Sequence, residues 1–532
     1  MRVSRGVHAA RDGYPPSIMV SPKLTLTSIV ATVGPASDSP EMLQKLIDAG
    51  VSVFRLNFSH GTLDDHLRRL SAIREAAKRA GLPIAVLGDL CGPKIRVGQV
   101  PEPGIELLAG QDVILDPSAR VARVVNNGDV QAVLPVSLPQ IARDTKPGQR
   151  VLINDGAIRM LAIESDAWDE GTLRCRVTVG GLVTTKKGIN LPQTELSVPA
   201  ITERDWECVR WAVQHGLDYL ALSFVRKAEE VLELKAKLAE LCAVGHEGDT
   251  TGEGKQIPVV SKIEKPEALT NLERIVQASD AIMVARGDLG VEMDIAQVPA
   301  TQKRLIDMAD AWGKPCIVAT QMLESMTSSA IPTRAEASDV AAAVFDGADA
   351  VMLSAETASG KHPSLVVETM RRIIEASETY LRTLPHAPSP PRSVVQTGYR
   401  TAALAHGAWH VARDVNAKLI ICWSQHGGAA RYLSQTGFRI PIIAYSSSQR
   451  QTRRMALLKG VRALHMPIAP SEKLSLAAWN ERVDTQLLEL GWATPGDAVI
   501  LVAGEPLGVQ GATNTLAVHF VGNPQTGFRA RG

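Results

Sequence analysis

Short apolar runs ending in polar residues alternate along much of the chain with segments of helical spacing. Eight such runs stand at 26–34 (LTSIVATVG), 51–61 (VSVFRLNFSHG), 82–90 (LPIAVLGDL), 217–224 (LDYLALSF), 257–264 (IPVVSKIE), 281–288 (AIMVARGD), 315–322 (PCIVATQM) and 350–357 (AVMLSAET). Each is short and apolar throughout, as expected of strands buried on both faces of a parallel sheet. A helix is predicted over 39–50, with Gly50 past its end, and others run through Ala80 and Leu241. Helical segments also separate the last four strands, and one opens with the capping box Thr333-Arg334-Ala335-Glu336. Eight strands alternating with helices predict an α/β (β/α)8 TIM barrel, with a doubly wound sheet as the alternative.

The stretch 257–294 carries the densest chemistry. It reads as strand, one amphipathic helix, strand, then a glycine-bounded polar turn. Strand alternation puts Lys262 and Glu264 on one face. The second strand ends in Arg286 and Asp288, so two carboxylates and a lysine are expected at neighbouring strand ends. A barrel keeps its chemistry at that end. Two carboxylates with room for water and substrate oxygens suit Mg2+.

Two regions break the alternation. Residues 93–191 are rich in Val, Gly and Pro, with turn signals every eight to twelve residues. This pattern predicts a small β-barrel or sandwich inserted in a βα loop, where it would hang over the barrel rim as a lid. Beyond the Pro-rich stretch 384–393, further apolar runs (AKLIICWS, IPIIAYS, VRALHMP, DAVILVAG, NTLAVHFVG) predict a smaller α/β domain for regulation or assembly. The expected boundaries are an N-terminal extension 1–24, barrel 25–92 and 192–383, an inserted β-rich B domain 93–191, and a C-terminal domain 384–532.

Composition narrows the class. A chain of 532 residues, 45% hydrophobic and 21% charged, is ordinary for a soluble protein of three or four domains. A net charge of +1 gives no field for nucleic acid or a membrane surface, and no run reaches the length of a membrane span. The cysteines at 91, 175, 208, 242, 316 and 422 form no CxxC pair, which points to a reducing compartment without structural zinc. The first 22 residues carry Arg2, Arg5, Arg11 and Pro15-Pro16 without an apolar core, so they do not read as a signal peptide, and cytoplasm is expected.

The strand ends carry Thr32; Arg55, Asn57 and Ser59; Asp89; Ser223; Lys262 and Glu264; Asp288; Thr320; Ser354 and Glu356. If the strands close into a barrel, all converge on one rim. Cations, carboxylates and hydroxyls together suit an anionic, metal-bound substrate.

The segments TSIVATVGPAS, VSVFRLNFSHG, SKIEKPEAL, MVARGDLGVE, ATQMLESM, PTRAEASDVA and VMLSAETASGKHP, in this order, resemble the successive motifs of pyruvate kinase, from about Thr27 to Gly522. The resemblance implies a homotetramer and transfer of the phosphoryl group of phosphoenolpyruvate to ADP, giving pyruvate and ATP, the last step of glycolysis. It implies that Glu264 and Asp288 hold Mg2+ (or Mn2+), and that Lys262 and Arg55 meet the transferring phosphoryl group. Gly287 and Asp288 N–H groups with Thr320 would hold the pyruvate carboxylate. Thr320 and Ser354 are both candidates for the enol proton route. Asn57, His60, Arg96 and Lys187 match positions around the nucleotide, with Lys186 competing with Lys187.

Two departures from the family pattern matter. The usual D-T-K-G-P-E-I-R is here Asp89-Leu90-Cys91-Gly92-Pro93-Lys94-Ile95-Arg96. Lysine in place of the glutamate resembles a potassium-independent branch, since a tethered ammonium can supply the charge that K+ would bring. Asn57, Ser59, Asp89 and the Leu90 carbonyl match the K+ positions, and Lys94 is expected to substitute, so that K+ is not required; Cys91, where lysine is common, has no clear reading. In the C-terminal domain, Ser424-Gln425-His426-Gly427-Gly428-Ala429 replaces a hydroxyl-rich phosphate loop and lacks two of three hydroxyl donors. Each charge-assisted bond contributes about 1.5–3 kcal/mol, so fructose bisphosphate is not expected there, while another sugar phosphate, AMP or no activator at all stays open.

Two rivals are weighed. A lyase on the same barrel would not need the Arg55-Asn57-Ser59-His60 segment or the lid. A silent binding relative would have lost Lys262, Glu264, Asp288 or Thr320, and all four are present.

Overall fold

The computed structural model describes residues 25–128, 130–166, 171–244, 256–385, 399–468, 474–509 and 511–529. The N-terminal extension 1–24 and most of the Pro-rich stretch 384–393 lie outside these residues.

The eight predicted strands are present: β1 (Ser28–Thr32), β2 (Val51–Asn57), β3 (Ala85–Asp89), β4 (Tyr219–Leu222), β5 (Val259–Ile263), β6 (Ala281–Ala285), β7 (Cys316–Ala319) and β8 (Ala350–Leu353). They form a closed barrel in the order β1-β8-β7-β6-β5-β4-β3-β2, with every pairing parallel. The seam closes where β1 meets β8. There Gly34 packs so tightly that an added Cβ would lie 2.5 Å from the Ala358 carbonyl oxygen.

The runs are apolar because the strands face two cores. One lies between strands and surrounding helices, around Phe54, Leu220, Ile263 and Val284. The other fills the barrel, around Val30, Leu87, Val260, Met283 and Met352, and includes Leu457 from the C-terminal region. Helix ends follow sequence signals. Thr62 with Asp65, Thr202 with Asp205 and Thr333 with Glu336 form capping boxes, and Gly81 ends its helix at φ +63°.

Two local expectations change. Between β5 and β6 the chain forms two short helices, Pro266–Thr270 and Leu272–Ala278, rather than one. Asn271 sits at the break and donates to the Arg226 carbonyl at 3.0 Å. After β6 the expected polar turn is a helix, Arg286–Glu292, stabilised by burial of Leu289 despite two glycines.

The insertion holds a seven-stranded sheet and a two-stranded ribbon around its own core, which includes Val113, Leu134, Met160 and Cys175. Residues 96, 97 and 99 bridge to Gly188, Val136 and Val121. The C-terminal region forms a five-stranded sheet from β9 (Leu419–Trp423), β10 (Ile442–Ser446), β11 (Val461–His465), β12 (Ala498–Gly504) and β13 (Thr513–Phe520), in the order β11-β10-β9-β12-β13. Its last pairing is antiparallel. It docks on the barrel's N-terminal face: Arg453 Nε lies 2.9 Å from Asp218 Oδ1, and Ser28 Oγ donates to the Ala456 carbonyl at 3.1 Å. Among the described residues no helix is long and apolar enough to cross a membrane.

Candidate active site

Because the strands are parallel, their polar ends share one rim. Asp89, 1% exposed, is its buried anchor. Its Oδ2 accepts from Arg55 Nε at 2.7 Å and lies 2.6 Å from Arg55 Nη2. Arg55 Nη1 also donates to Thr32 Oγ1 at 3.0 Å. Lys262 Nζ donates to Ser223 Oγ at 2.8 Å and lies 2.9 Å from Glu264 Oε1 and 3.3 Å from Asp89 Oδ1. Ser223 Oγ donates in turn to the Leu90 carbonyl at 2.7 Å.

The electrostatics follow from this packing. Burial opposes charge on Lys262, but Asp89 and Glu264 outweigh it and hold its pKa above the usual lysine range. Burial would push Asp89 up, yet Lys262 and Arg55 hold it below the usual carboxylate range. Glu264 moves the other way: burial raises it, Lys262 only partly offsets that, and Asp288 adds to the rise. Glu264 also accepts the Phe224 N–H at 2.6 Å, and Phe224 adopts φ +54° to deliver it. A single sequence carries no signal for that backbone contact.

Asp288 lies in the first turn of the Arg286–Glu292 helix, with its side chain 27% exposed and Lys94 Nζ 3.8 Å away. Beside it, the Gly287 N–H donates to Thr320 Oγ1 at 2.7 Å, and Thr320 Oγ1 donates to the Ala319 carbonyl at 2.6 Å. Thr320 and Gln321 hold φ +70° and +53°, and Arg286 clamps this turn through both carbonyls at 2.9 and 3.3 Å. Arg286 was legible only as a charge at a strand end. Ser354 makes no side-chain hydrogen bond among the described residues, while its N–H donates to Glu356 at 2.7 Å. Glu356 is fully buried and also accepts the Leu323 N–H, so it shapes backbone rather than facing substrate.

The nucleotide-side candidates lie where the insertion joins the barrel. Asn57 Oδ1 accepts the Ser59 N–H at 3.1 Å. Arg96 Nη1 donates to the Lys186 carbonyl at 3.1 Å, and the Lys187 carbonyl accepts the Val97 N–H at 2.8 Å. Burial, with Arg96, Arg55 and Lys94 nearby, lowers the His60 pKa and keeps that imidazole neutral near pH 7. This side of the rim is therefore electropositive.

Among the described residues no three His, Cys, Asp or Glu side chains converge as an all-protein metal cage. Asp288 adds to the cost of ionising Glu264, as a neighbouring carboxylate does. An all-oxygen pair that leaves most positions to water and substrate fits Mg2+.

Comparison with known proteins covers both halves of this architecture. Residues 24–367 match the family described as pyruvate kinase, barrel domain, and residues 402–519 match pyruvate kinase, alpha/beta domain. The pyruvate kinase of Thermotoga maritima is 38% identical over 495 residues, spanning 92% of this chain and 98% of its relative. That of Methylorubrum extorquens is 39% identical over 498 residues, spanning 93% and 97%. A crystal structure of a pyruvate kinase from Cryptosporidium parvum superposes with a TM-score of 0.81 at 32% identity, covering 94% of this chain and 97% of that one. Barrel, rim and relatives agree over nearly the whole length, and the chain belongs to the pyruvate kinase family, enzymes that transfer the phosphoryl group of phosphoenolpyruvate to ADP.

Proposed function

We propose that this reaction runs on the rim built from Arg55, Asp89, Lys262, Glu264, Asp288 and Thr320. The carrying observation is Lys262, enclosed by two carboxylates 2.9 and 3.3 Å away, its charge fixed and its position set before substrate arrives. Arg55 and Lys262 bind the phosphoryl group of phosphoenolpyruvate, and Asp89 orients both. Glu264 and Asp288 hold the divalent cation, Mg2+ or Mn2+. When bound, that cation supplies positive charge to the oxygens of the transferring group. The N–H groups of Gly287 and Asp288 and the Thr320 hydroxyl hold the carboxylate. In this structure the Gly287 N–H donates to Thr320 Oγ1 and Thr320 Oγ1 to the Ala319 carbonyl, so an arriving carboxylate takes over donors already gathered at one point. The uncommitted Ser354 hydroxyl is the better start of the water-linked route that protonates the enolate.

ADP enters on the electropositive side, between His60 and Asn57 of the barrel and Arg96 and Lys187 of the insertion. The insertion acts as a lid excluding water. K+ is not required in this reading. Asp89 is occupied by Arg55 and Lys262, the Leu90 carbonyl by Ser223, and Asn57 by the Ser59 N–H, which supports an internally satisfied site with Lys94 supplying the charge. The C-terminal sheet serves regulation or assembly of a cytoplasmic homotetramer, where a phosphorylated effector other than fructose bisphosphate, or no activator at all, is compatible with its loops. Ser424 Oγ accepts the Ala430 N–H at 3.0 Å, which fixes that hydroxyl in place.

The deciding experiment is pyruvate formation from phosphoenolpyruvate and ADP with Mg2+, with and without K+, beside K262M. Equal rates in both salts, lost in the variant, are expected. Activity only with K+ would remove the Lys94 reading and keep the rim.

A further inference from the structure

The chain crosses between barrel and insertion twice, near residues 92–97 and 187–196. The crossings pair with each other: the Ile189 N–H donates to the Ile95 carbonyl at 2.9 Å, and the Val97 N–H to the Lys187 carbonyl at 2.8 Å. They therefore form one ribbon. Each strand of the ribbon sends one polar side chain to the Arg286–Glu292 helix. Lys94 Nζ stands 3.8 Å from Asp288 Oδ1, and Asn190 Nδ2 donates to Glu292 Oε1 at 2.8 Å. Asp288 and Glu292 are four residues apart, so they share a helix face.

The Glu292 end of this grip is unusually buried. Glu292, Lys265 and Asn190 are 2%, 5% and 9% exposed. Lys265 Nζ lies 2.9 Å from Glu292 Oε1 and 3.5 Å from the Leu191 carbonyl, again in the ribbon. Glu292 Oε2 is buried without a partner among the described residues. A cavity of about 20 Å³, room for one water, adjoins it and is lined by Lys94, Asn190, Lys265 and Glu292 among others. Buried ion pairs seldom add stability over an apolar substitute, and their best-attested use is to fix one arrangement.

We propose that Asn190, Lys265 and Glu292 are positioning residues for phosphoryl transfer. Through them the ribbon sets where the helix bearing Asp288 stands, so closure of the insertion and assembly of the Glu264–Asp288 pair are one event. The inference rests on the reading of Asp288 and the lid given above. Asn190 is the moving half, because it travels with the ribbon. Lys265 and Glu292 are the fixed half, because they belong to the barrel.

The test uses the full-length enzyme and three variants: N190A, K265M/E292M and their combination. The double replacement removes both ions together and leaves no stranded buried charge. Each folded variant is assayed for kcat, for KM of ADP and for binding of phosphoenolpyruvate alone. Losing a hydrogen bond to a charged group costs a factor of about ten or more. Both N190A and K265M/E292M should lower kcat/KM for ADP roughly tenfold on that scale, and phosphoenolpyruvate affinity should fall with it, because the same helix offers the Gly287 and Asp288 N–H groups to its carboxylate. The combination should be no worse than the weaker of the two, since they break one link. A folded K265M/E292M with kcat/KM for ADP within about twofold of the parent overturns the proposal, as do multiplicative losses. If N190A fails to fold, K265M/E292M decides alone. D288N, run alongside, separates the two levels: its full activity would sink the site reading, whereas its inactivity beside active latch variants would sink only the latch.

Discussion

Lys262 Nζ and Glu264 Oε1 lie 2.9 Å apart, two residues along one strand end and on one face of it. That pair places a fixed cation directly beside a carboxylate assigned to metal. Its removal affects both chemistry and folding. K262M should lower kcat at least ~10²–10³-fold, the cost of losing one preorganised electrostatic contact. It also leaves Glu264 buried without its cation, while Asp89 keeps Arg55, at a cost of about 3–5 kcal/mol. Single-turnover kinetics and urea unfolding read the two effects separately. A kcat near the parent value would remove Lys262 from the chemistry.

Much of this rim is legible in the sequence, because each buried strand is an apolar run and its polar end is abrupt. The Thr333–Glu336 capping box is equally local and equally readable. What the sequence hides is set at long range. The Arg286–Glu292 helix contains two glycines and opens on charges, so local preference reads it as a turn, and tertiary burial of Leu289 overrides that. The Asn190–Glu292 bond joins residues 102 apart, and no spacing rule reaches it. The left-handed backbone of Phe224 is likewise imposed by its surroundings, since aromatic residues rarely adopt it unaided.

The Lys94 reading gives a sharp ionic prediction. The parent enzyme should show the same kcat/KM for phosphoenolpyruvate in K+ and in tetramethylammonium salts. K94E should lose activity in tetramethylammonium and recover much of it with K+. A variant indifferent to K+, or a parent that needs it, would separate Lys94 from the monovalent-cation role.

Gly287 sits against Thr320, and an added Cβ would lie 3.2 Å from Thr320 Oγ1. The neighbour must shift by a few tenths of an ångström, which disturbs the bond between them. G287A should therefore raise KM for phosphoenolpyruvate about two- to tenfold, the value of one ordinary hydrogen bond. Thermal stability should hardly move. An unchanged KM would place the carboxylate elsewhere.

Asp349 offers a pH test away from the rim. It is buried under the barrel, accepting the Cys316 N–H at 2.8 Å and Gln435 Nε2 at 2.9 Å. Burial pushes its pKa up to about 6, against partial relief from Lys459. A raised carboxyl pKa means the native state binds more protons than the unfolded state across that interval. Its contribution to stability is present below the ordinary carboxylate pKa and is lost as pH rises through about 6. The loss amounts to roughly 3 kcal/mol at neutral pH. D349N should flatten the stability profile between about pH 4 and 6. Denaturant unfolding across that range checks it, and an unchanged slope would assign the titration to another group.

Leu457 comes from the C-terminal region yet belongs to the cluster filling the barrel, with Tyr219, Val260 and Met352. It is fully buried, so it closes the barrel floor as a core residue does. Its neighbour Arg453 ties the same segment to Asp218, but Asp218 keeps a second cation, Arg74, at 2.8 Å. The two contacts therefore differ in kind. L457A opens a cavity in a packed interior and should cost about 2–5 kcal/mol. R453M removes one of two cations from a carboxylate that stays paired, and should cost clearly less. The floor is shared, so L457A should loosen the C-terminal sheet from the barrel and split calorimetric unfolding into two transitions. A single transition at the parent temperature would mean that the floor is held by polar contacts alone.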